Sequence, residues 1–152
     1  MPRANSVPKA LAIPVVCLGM PDPITALPLA GRVLGTSQGN FVIAEWRDLG
    51  GPPRLIAPPH VHHSDDEAWY VLEGVLRVRV GDEEVEAKAG AGVFVPRGTI
   101  HTYWNPGPGP LRYLLIMTGR IHQLIQDIHA MESRTHEKLQ AVFRKYDSEL
   151  AD

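Results

Sequence analysis

The sequence predicts an all-β domain, either a sandwich or a barrel, followed by a helical tail. Between Gly31 and Thr118, short apolar and β-branched runs alternate with turn-forming Gly, Pro, Asn and Asp. Many short strands joined by short turns are typical of sandwiches and barrels. After Thr118 the apolar residues recur at helical spacing. The length of 152 residues suits one compact domain with its own core.

The first 28 residues differ from the rest of the chain because they contain six of its 14 prolines. Proline lacks a backbone donor and disfavours regular structure, so we predict that residues 1–28 form an arm on the surface or against a partner. The apolar stretch from Ala10 to Met20 is interrupted by Pro14 and lacks the charged start of a signal peptide. The single cysteine, Cys17, cannot form an internal disulfide. We therefore expect a cytoplasmic protein that does not enter a membrane.

The runs that predict strands are short and separated by turn formers. In chain order they are GRVLG, NFVIAEW, EAWYVLE, VLRVRV, EEVEAK, GVFVP and LRYLLIM. The segment VLRVRVGDEEVEA predicts a hairpin that turns at Gly81 and Asp82. Because side chains alternate along a strand, Leu76 and Val78 share its buried face while Arg77 points to solvent.

Residues 119–152 predict one broken helix or two short ones. Two apolar stripes at helical spacing support this, and they consist of Ile121, Leu124, Ile125, Ile128 and Met131, then Leu139, Val142, Phe143, Tyr146 and Leu150. Ser133 or Thr135 could cap the second helix. We expect the apolar stripe to pack on the barrel or on a partner.

The stretch PPHVHHSDDEAWYVLEG, residues 58–74, carries the strongest chemical signal. His60 and His62 are two residues apart, so on a strand both side chains point to the same face and can bind one ion. Glu67 lies at the start of an apolar strand, where a carboxylate needs a compensating partner such as a divalent cation. A fourth ligand should come from a distant segment, and His101 can supply it.

This donor set restricts the identity of the metal. Three imidazoles and one carboxylate suit a divalent transition metal, which could be Fe, Mn, Ni, Cu or Zn. Magnesium and calcium prefer shells made only of oxygen. A thiolate site is excluded because the chain has one cysteine.

The chain resembles the cupin superfamily, whose members carry two short motifs. The first motif runs Gly, five residues, His, one, His, three or four, Glu, six, Gly. His60, His62, Glu67 and Gly74 stand at these spacings. The second motif runs Gly, five residues, Pro, one, Gly, two, His, three, Asn. Every position of it is matched, by Gly90, Pro96, Gly98, His101 and Asn105.

One position departs from the family pattern. Arg54 stands where the first motif should begin with glycine, while Gly50 and Gly51 lie slightly upstream. That glycine serves the turn and not the metal, so we expect a shifted turn and an intact site.

The resemblance implies a fold, a metal site and an assembly. Residues 29–118 would form a double-stranded β-helix, or jelly-roll, barrel. One metal ion would be bound inside it by His60, His62, Glu67 and His101. The overall organisation is similar to small quercetin dioxygenase-like cupins, and cupins of this size commonly pair, so a homodimer is expected.

Strand alternation also suggests which apolar side chains line a pocket inside the barrel. The candidate pocket residues are Phe41, Ile43, Trp69, Leu76, Val78, Tyr103 and Met117.

Several polar residues have simpler interpretations. His63, Asp65 and Asp66 are expected to be solvated loop residues, and Glu67 could be a structural partner of Arg97 or of another cation instead of a metal ligand.

The helical tail also carries a histidine pattern. His122, His129 and His136 recur every seven residues. Chelation on a helix needs a spacing of three or four, so a solvated helix face is favoured.

For function, the resemblance favours an oxygenase acting on a small chelating substrate of the enediol, flavonol or diketone type, with Glu67 as a catalytic base. One alternative is a cupin that binds or senses a small ligand without chemistry. Another is a metal-dependent isomerase or decarboxylase, which would need a further acid/base such as Glu45 or Glu73. The formal net charge of −2 gives no strong field for nucleic acid or anionic lipid, which favours a small-molecule partner.

Overall fold

The computed structural model describes residues 33–151, which form two antiparallel five-stranded sheets and a pair of helices. The predicted proline-rich arm, residues 1–28, lies outside the described residues, as does Cys17. None of the described helices is long and apolar enough to cross a membrane.

Consecutive strands lie in opposite sheets, with two exceptions. The bounds of the strands are β1 Val33–Leu34, β2 Val42–Asp48, β3 Arg54–His62, β4 Glu67–Glu73, β5 Val75–Val80, β6 Glu83–Lys88, β7 Gly92–Val95, β8 His101–Asn105, β9 Leu111–Met117 and β10 Ser148–Leu150. The first sheet has the order β1-β2-β9-β4-β7 and the second the order β10-β3-β8-β5-β6, so the exceptions are the pairs β1–β2 and β5–β6. This double-stranded β-helix confirms the predicted all-β barrel.

The core lies between the inner faces of the two sheets. Central strand β9 alternates buried and half-buried residues along its whole length, and Leu111, Tyr113 and Leu115 are at most 2% exposed. Such strict alternation follows from a strand with one face in the core and one towards solvent. The inward residues of β4 and β5 include Trp69 and Leu76, which are also buried.

The predicted orientation of Phe41 and Ile43 is wrong. Phe41 precedes β2 and is 64% exposed. Ile43 is half-buried, and it is Val42 and Ala44 that lie in the core. The run FVIA is apolar in both alternating sets, so the outward set is indicated only further along the strand, where the charged residues Glu45 and Arg47 continue the set of Phe41 and Ile43.

The predicted hairpin of β5 and β6 is confirmed. Val80 pairs with Glu83 in the register, which leaves Gly81 and Asp82 as the turn. Leu76 and Val78 are fully buried, and Arg77 on the opposite face forms an ion pair with Glu86 across the strands at 3.2 Å.

The turn before β3 is shifted, as expected from Arg54. Gly50 and Gly51 adopt φ angles of +88° and +111°, which glycine reaches without a steric penalty. Asp48 fixes this turn because its Oδ1 accepts hydrogen bonds from Gly50 N at 2.8 Å and from Asn105 Nδ2 at 3.0 Å. Arg54 then begins β3 and pairs with Asp48 at 2.9 Å.

The tail forms helices α1, Gly119–Ala130, and α2, His136–Lys145. Thr118 caps α1, and Thr135 caps α2 as predicted, by accepting from Lys138 N at 3.4 Å. The helices are tied together at Asp127, whose Oδ2 accepts from Lys145 Nζ at 2.9 Å and from Tyr146 Oη at 2.5 Å.

Two predictions about the tail need correction. Leu150 does not belong to the second helix, because Asp147 adopts a φ of +53° and the chain then enters β10, which pairs with β3. His122 is not solvated: it is 9% exposed, and its Nδ1 lies 3.1 Å from Ser37 Oγ. His136 is exposed, as expected for the solvated side of a helix. His129 is exposed in part but also lines a cavity and packs against Trp46.

Candidate metal centre

Four buried side chains converge at one end of the barrel. His60 and His62 lie at the end of β3, Glu67 begins β4 and His101 begins β8. They are between 2% and 4% exposed, and one donor atom from each lies within 4.8 Å of the others. His60 is directly opposite His101 in the β3–β8 register. The two motifs are thus joined through strand pairing, and these four residues could hold a metal ion.

The outer nitrogen of each imidazole is hydrogen bonded away from the centre. His60 Nδ1 donates to Pro58 O at 2.6 Å, and His101 Nδ1 donates to Thr99 O at 2.9 Å, because a carbonyl can only accept. A neutral imidazole has a single N–H group. In that state these two rings therefore direct the lone pair of Nε2 towards the centre, the arrangement that metal-bound histidines adopt.

The carboxylate of Glu67 lies between the imidazoles. Its Oε2 is 2.9 Å from His101 Nε2 and 3.3 Å from His62 Nε2. Burial raises the pKa of the Glu67 carboxyl, but the hydrogen bond with His101 and the proximity of His62 outweigh burial and hold this pKa below its usual value. Burial lowers the pKa of His60 to about 3, with smaller effects from His101 and His62. His60 is thus neutral at pH 7 and available as a ligand.

The residues fit a divalent transition metal. When Nδ1 of His101 donates outward, its Nε2 and Glu67 Oε2 are two acceptors at 2.9 Å, which requires a cation or a shared proton between them. His62 Nε2 is buried without a hydrogen-bond partner among the described residues, and a buried polar atom of this kind is costly unless something binds it. A metal ion at the centre would satisfy both nitrogens and the carboxylate together.

A cavity of about 210 Å³ connects this cluster to the tail. Its barrel side includes His60, His62, Glu67 and Tyr103. Burial raises the pKa of Tyr103 above its usual value, so its phenol remains protonated at neutral pH. The rest of the wall is mostly apolar side chains from the barrel and from both helices, and these include Trp46, Ile56, Leu115, Ile121, Leu124, Ile125, Ile128, Leu139 and Phe143.

Of the seven predicted pocket residues, Tyr103 lines this cavity. Trp69, Leu76, Val78 and Met117 are at most 2% exposed in the core, although the ring of Trp69 lies 5.8 Å from that of His101. These four side chains are buried in the core, whereas the cavity is lined in large part by residues of the two helices. Phe41, which precedes β2, and Ile43 belong to the alternating set that faces away from the core.

Sequence reasoning missed most of the cavity wall, and three of the missed contributors are polar or aromatic residues that bear on the site's chemistry. Trp46 lines the cavity and its ring packs edge-on against His129, with centroids 5.5 Å apart. Ser148 contacts a candidate ligand from β10, at 2.7 Å from His62 Nδ1. Arg134 contributes a cation to the wall. The alternation in VIAEW places Trp46 on the same face as Val42, and this was a usable sequence signal. No local sequence pattern indicates that Arg134 or Ser148 belongs to the site.

The loop between His62 and Glu67 is less solvated than predicted. Asp65 is 4% exposed, accepts from Thr118 Oγ1 at 2.7 Å and pairs with Arg120 at 2.9 Å. Asp66, rather than Glu67, pairs with Arg97, at 2.8 Å. The alternative in which Glu67 serves only as a partner of Arg97 is therefore wrong.

A family model and several curated proteins match part of this sequence. The family model described as Cupin domain matches residues 52–117. Mannose-1-phosphate guanylyltransferase RfbM of Salmonella typhimurium is 37% identical over 59 residues, which are 39% of this chain and 12% of that protein. The tetracenomycin polyketide synthase protein TcmJ of Streptomyces glaucescens is 42% identical over 53 residues, 35% of this chain and 36% of that protein. The chain thus spans well under half the length of these curated relatives.

Two solved structures each resemble about half of the chain. A protein of Thermus thermophilus is 30% identical, with 53% of this chain and 73% of that chain covered and a TM-score of 0.47. A sugar phosphate isomerase of the cupin superfamily from Silicibacter pomeroyi is 25% identical, with 52% and 50% covered and a TM-score of 0.46.

The matched segment runs from the turn before β3 to the last residue of β9. It contains both motifs and all four side chains of the buried cluster. This part of the chain therefore matches the family model of the cupin domain.

Proposed function

We propose that this protein binds one divalent transition metal through His60, His62, Glu67 and His101 and oxygenates a small, largely apolar organic molecule that chelates the metal. The observation that carries the proposal is the shared wall: the cluster and a mostly apolar cavity of about 210 Å³ adjoin each other. A quercetin dioxygenase-like activity, as expected from the sequence, is the reaction class we assign.

The cavity argues for the class of substrate. Its volume of about 210 Å³ is below the range of roughly 300–1,000 Å³ that is typical for drug-sized ligands, so the substrate is small. Side chains such as Ile125, Leu139 and Phe143 offer no hydrogen bonds to a polyhydroxylated sugar. A flavonol, enediol or diketone has apolar carbons for this wall and adjacent oxygens for the metal.

The chain's own residues would divide the chemistry among them. A bound metal would supply a Lewis acid that lowers the pKa of a substrate hydroxyl. Glu67 is in the cavity wall and is the base that takes this proton. Tyr103, which stays protonated, can donate a hydrogen bond to a substrate oxygen. The apolar walls from the two helices exclude water from the site.

Isomerisation and decarboxylation are less well supported. Both need a positioned acid or base besides the metal ligands. Glu45 pairs with Arg112 at 3.3 Å, Glu73 is exposed, and neither lines the cavity. Among the described residues in the cavity wall, Glu67 is the single carboxylate, and His129 is the one further acid/base candidate of the imidazole type. The similarity to a sugar phosphate isomerase therefore does not decide the reaction.

The test combines metal analysis with oxygen uptake. Protein purified without chelator is analysed for metals and then reconstituted with iron, manganese or nickel and given flavonols, enediols and diketones. We expect about one equivalent of metal and substrate-dependent oxygen consumption. Stoichiometric metal and ligand binding without oxygen uptake would instead support a binding or sensor protein, and no metal uptake under any condition would overturn the proposed centre.

The homodimer and the cytoplasmic location that we expect from the sequence stay predictions. Sedimentation of the purified protein and fractionation of its native cells test them.

A further inference from the structure

One candidate ligand differs from the others in what supports its outer nitrogen. His60 and His101 donate to carbonyls two residues earlier in the chain, Pro58 O and Thr99 O. His62 Nδ1 instead lies 2.7 Å from Ser148 Oγ, 86 residues away. The first two rings are thus oriented by their own strand segments. The third is oriented by the tail.

The hydroxyl of Ser148 is held as an acceptor for His62. Ser148 is 1% exposed and stands opposite His62 in the β10–β3 register. Its Oγ donates to Tyr146 O at 3.0 Å, so its single proton is used and it accepts from His62 Nδ1–H. Nε2 of His62 then carries the lone pair, and this atom is 3.3 Å from Glu67 Oε2 at the centre.

The strand that carries Ser148 is fixed to the barrel on both sides. Ala151 N donates to Pro59 O at 2.9 Å, and His63 N donates to Asp147 O at 2.9 Å. Leu150 N also donates to Gln140 Oε1 of α2 at 2.8 Å. The position of the Ser148 hydroxyl therefore depends on the docking of the tail.

We propose that Ser148 is a positioning residue of the metal centre. Its hydroxyl selects the His62 tautomer with the proton on Nδ1 and fixes the ring so that Nε2 faces the metal. This inference rests on the proposed function, because it needs the four-residue cluster to bind a metal. It adds that the cluster has its full affinity only when β10 is paired with β3. Changing such an outer partner typically lowers metal affinity by about 10–100-fold.

The test uses three variants and two readouts. Ser148→Ala removes the acceptor, Ser148→Thr keeps a hydroxyl, and Ser64→Ala is the matched control. Ser64 Oγ donates to Asp147 Oδ2, so its loss breaks another contact between tail and barrel without touching a histidine. The readouts are zinc affinity, by competition with a chelator, and the ¹⁵N chemical shifts of the imidazoles in metal-free protein.

We expect Ser148→Ala to bind zinc about 10–100-fold more weakly and to lose the single Nδ1–H tautomer of His62. Ser148→Thr and Ser64→Ala should keep wild-type affinity and tautomer. Unchanged affinity in Ser148→Ala overturns the inference, and so does an equal loss in Ser148→Thr or in Ser64→Ala.

Two further outcomes separate this inference from the proposed function. If wild-type protein binds no metal, the proposed function fails, while the ¹⁵N shifts still show whether Ser148 sets the tautomer. If Ser148→Ala does not fold, the ¹⁵N spectrum of the metal-free wild-type protein tests the inference. A His62 ring that carries its proton on Nε2 alone would overturn it.

Discussion

The barrel and the helical tail contribute to the same site in different ways. The barrel supplies all four candidate ligands, at the end of β3 and at the starts of β4 and β8. The tail supplies much of the apolar wall, through α1 and α2, and one hydrogen bond to a ligand, through Ser148. Apart from Ser148, no described residue of the tail is hydrogen bonded to an outer nitrogen of the ligands, so metal affinity should depend mainly on the barrel and substrate affinity on the cavity wall.

The largest effect on metal affinity should come from a substitution in the barrel. His101→Ala removes one of the four donors. Loss of only the hydrogen-bond partner of a ligand typically lowers metal affinity by about 10–100-fold, so we expect the loss of a ligand itself to lower it by at least about tenfold. The barrel should stay folded. Elemental analysis after gel filtration measures the bound metal, and circular dichroism measures whether the barrel is folded. His136→Ala, an exposed histidine on α2, is the control, and undiminished metal in His101→Ala would remove His101 from the ligand set.

Substitutions in the apolar face of the tail should change the stability of the fold and the substrate affinity more than the metal affinity. Phe143 of α2 is 3% exposed and lines the cavity. Phe143→Ala should lower the free energy of unfolding by roughly 3–5 kcal/mol, the usual cost of truncating a buried aromatic side chain. Phe94→Ala, at a site 62% exposed, should change it by less than about 0.5 kcal/mol.

Denaturant unfolding and zinc competition, run on both variants, check this comparison. A Phe143→Ala protein that loses metal affinity as strongly as His101→Ala would show that the two regions are not separable.

A smaller effect should appear where the helices are tied together. The hydrogen bonds from Tyr146, Lys145 and Gln123 lower the pKa of Asp127 from 3.8 to about 2. A carboxyl with a lowered folded pKa stabilises the fold above pH 3.8 and loses that contribution as the pH falls through about 2. Wild type should therefore melt at a higher temperature than Asp127→Asn at pH 6, and the difference should shrink towards pH 2.

Thermal melts at several pH values measure this difference. Asp82→Asn, in the exposed hairpin turn, is the control. A difference between wild type and Asp127→Asn that does not depend on pH between 6 and 2 would contradict the assignment.

The smallest effect is expected on the outer face of the barrel. Arg77 and Glu86 form an exposed ion pair at 3.2 Å, with side chains 44% and 41% exposed. Such pairs contribute about 0–1 kcal/mol, so Arg77→Ala should change the unfolding free energy by less than about 1 kcal/mol and leave metal affinity unchanged. A larger loss by denaturant unfolding would mean that this face supports the site.

The barrel was predictable because its signals are local. The spacing of His60 and His62 and the strand alternation of VLRVRV need only neighbouring residues to be interpreted. Where a run is apolar in both alternating sets, as at Phe41 and Ile43, that signal comes only from residues further along the strand. A stronger limit applies to Asp65, whose burial depends on Arg120 and Thr118, more than fifty residues further along.

The tail was predictable as helices but not as part of the site. Apolar spacing and the Thr135 cap identified α2, yet no local pattern shows that the chain turns back at Asp147 and pairs β10 with β3. The cavity wall depends on how the tail crosses the barrel end, which is a tertiary property. Trp46 could have been assigned from the alternation of β2, whereas Arg134 and Ser148 could not.

The separation of 86 residues between His62 and Ser148 has a consequence for biosynthesis. At ribosomal rates of about 5–20 residues per second, Ser148 is added roughly 4–17 s after His62. The four candidate ligands are all translated before Ser148, with His101 the last of them. A nascent barrel could therefore meet a metal ion before the tail can orient His62, and its affinity for that ion would rise once β10 docks.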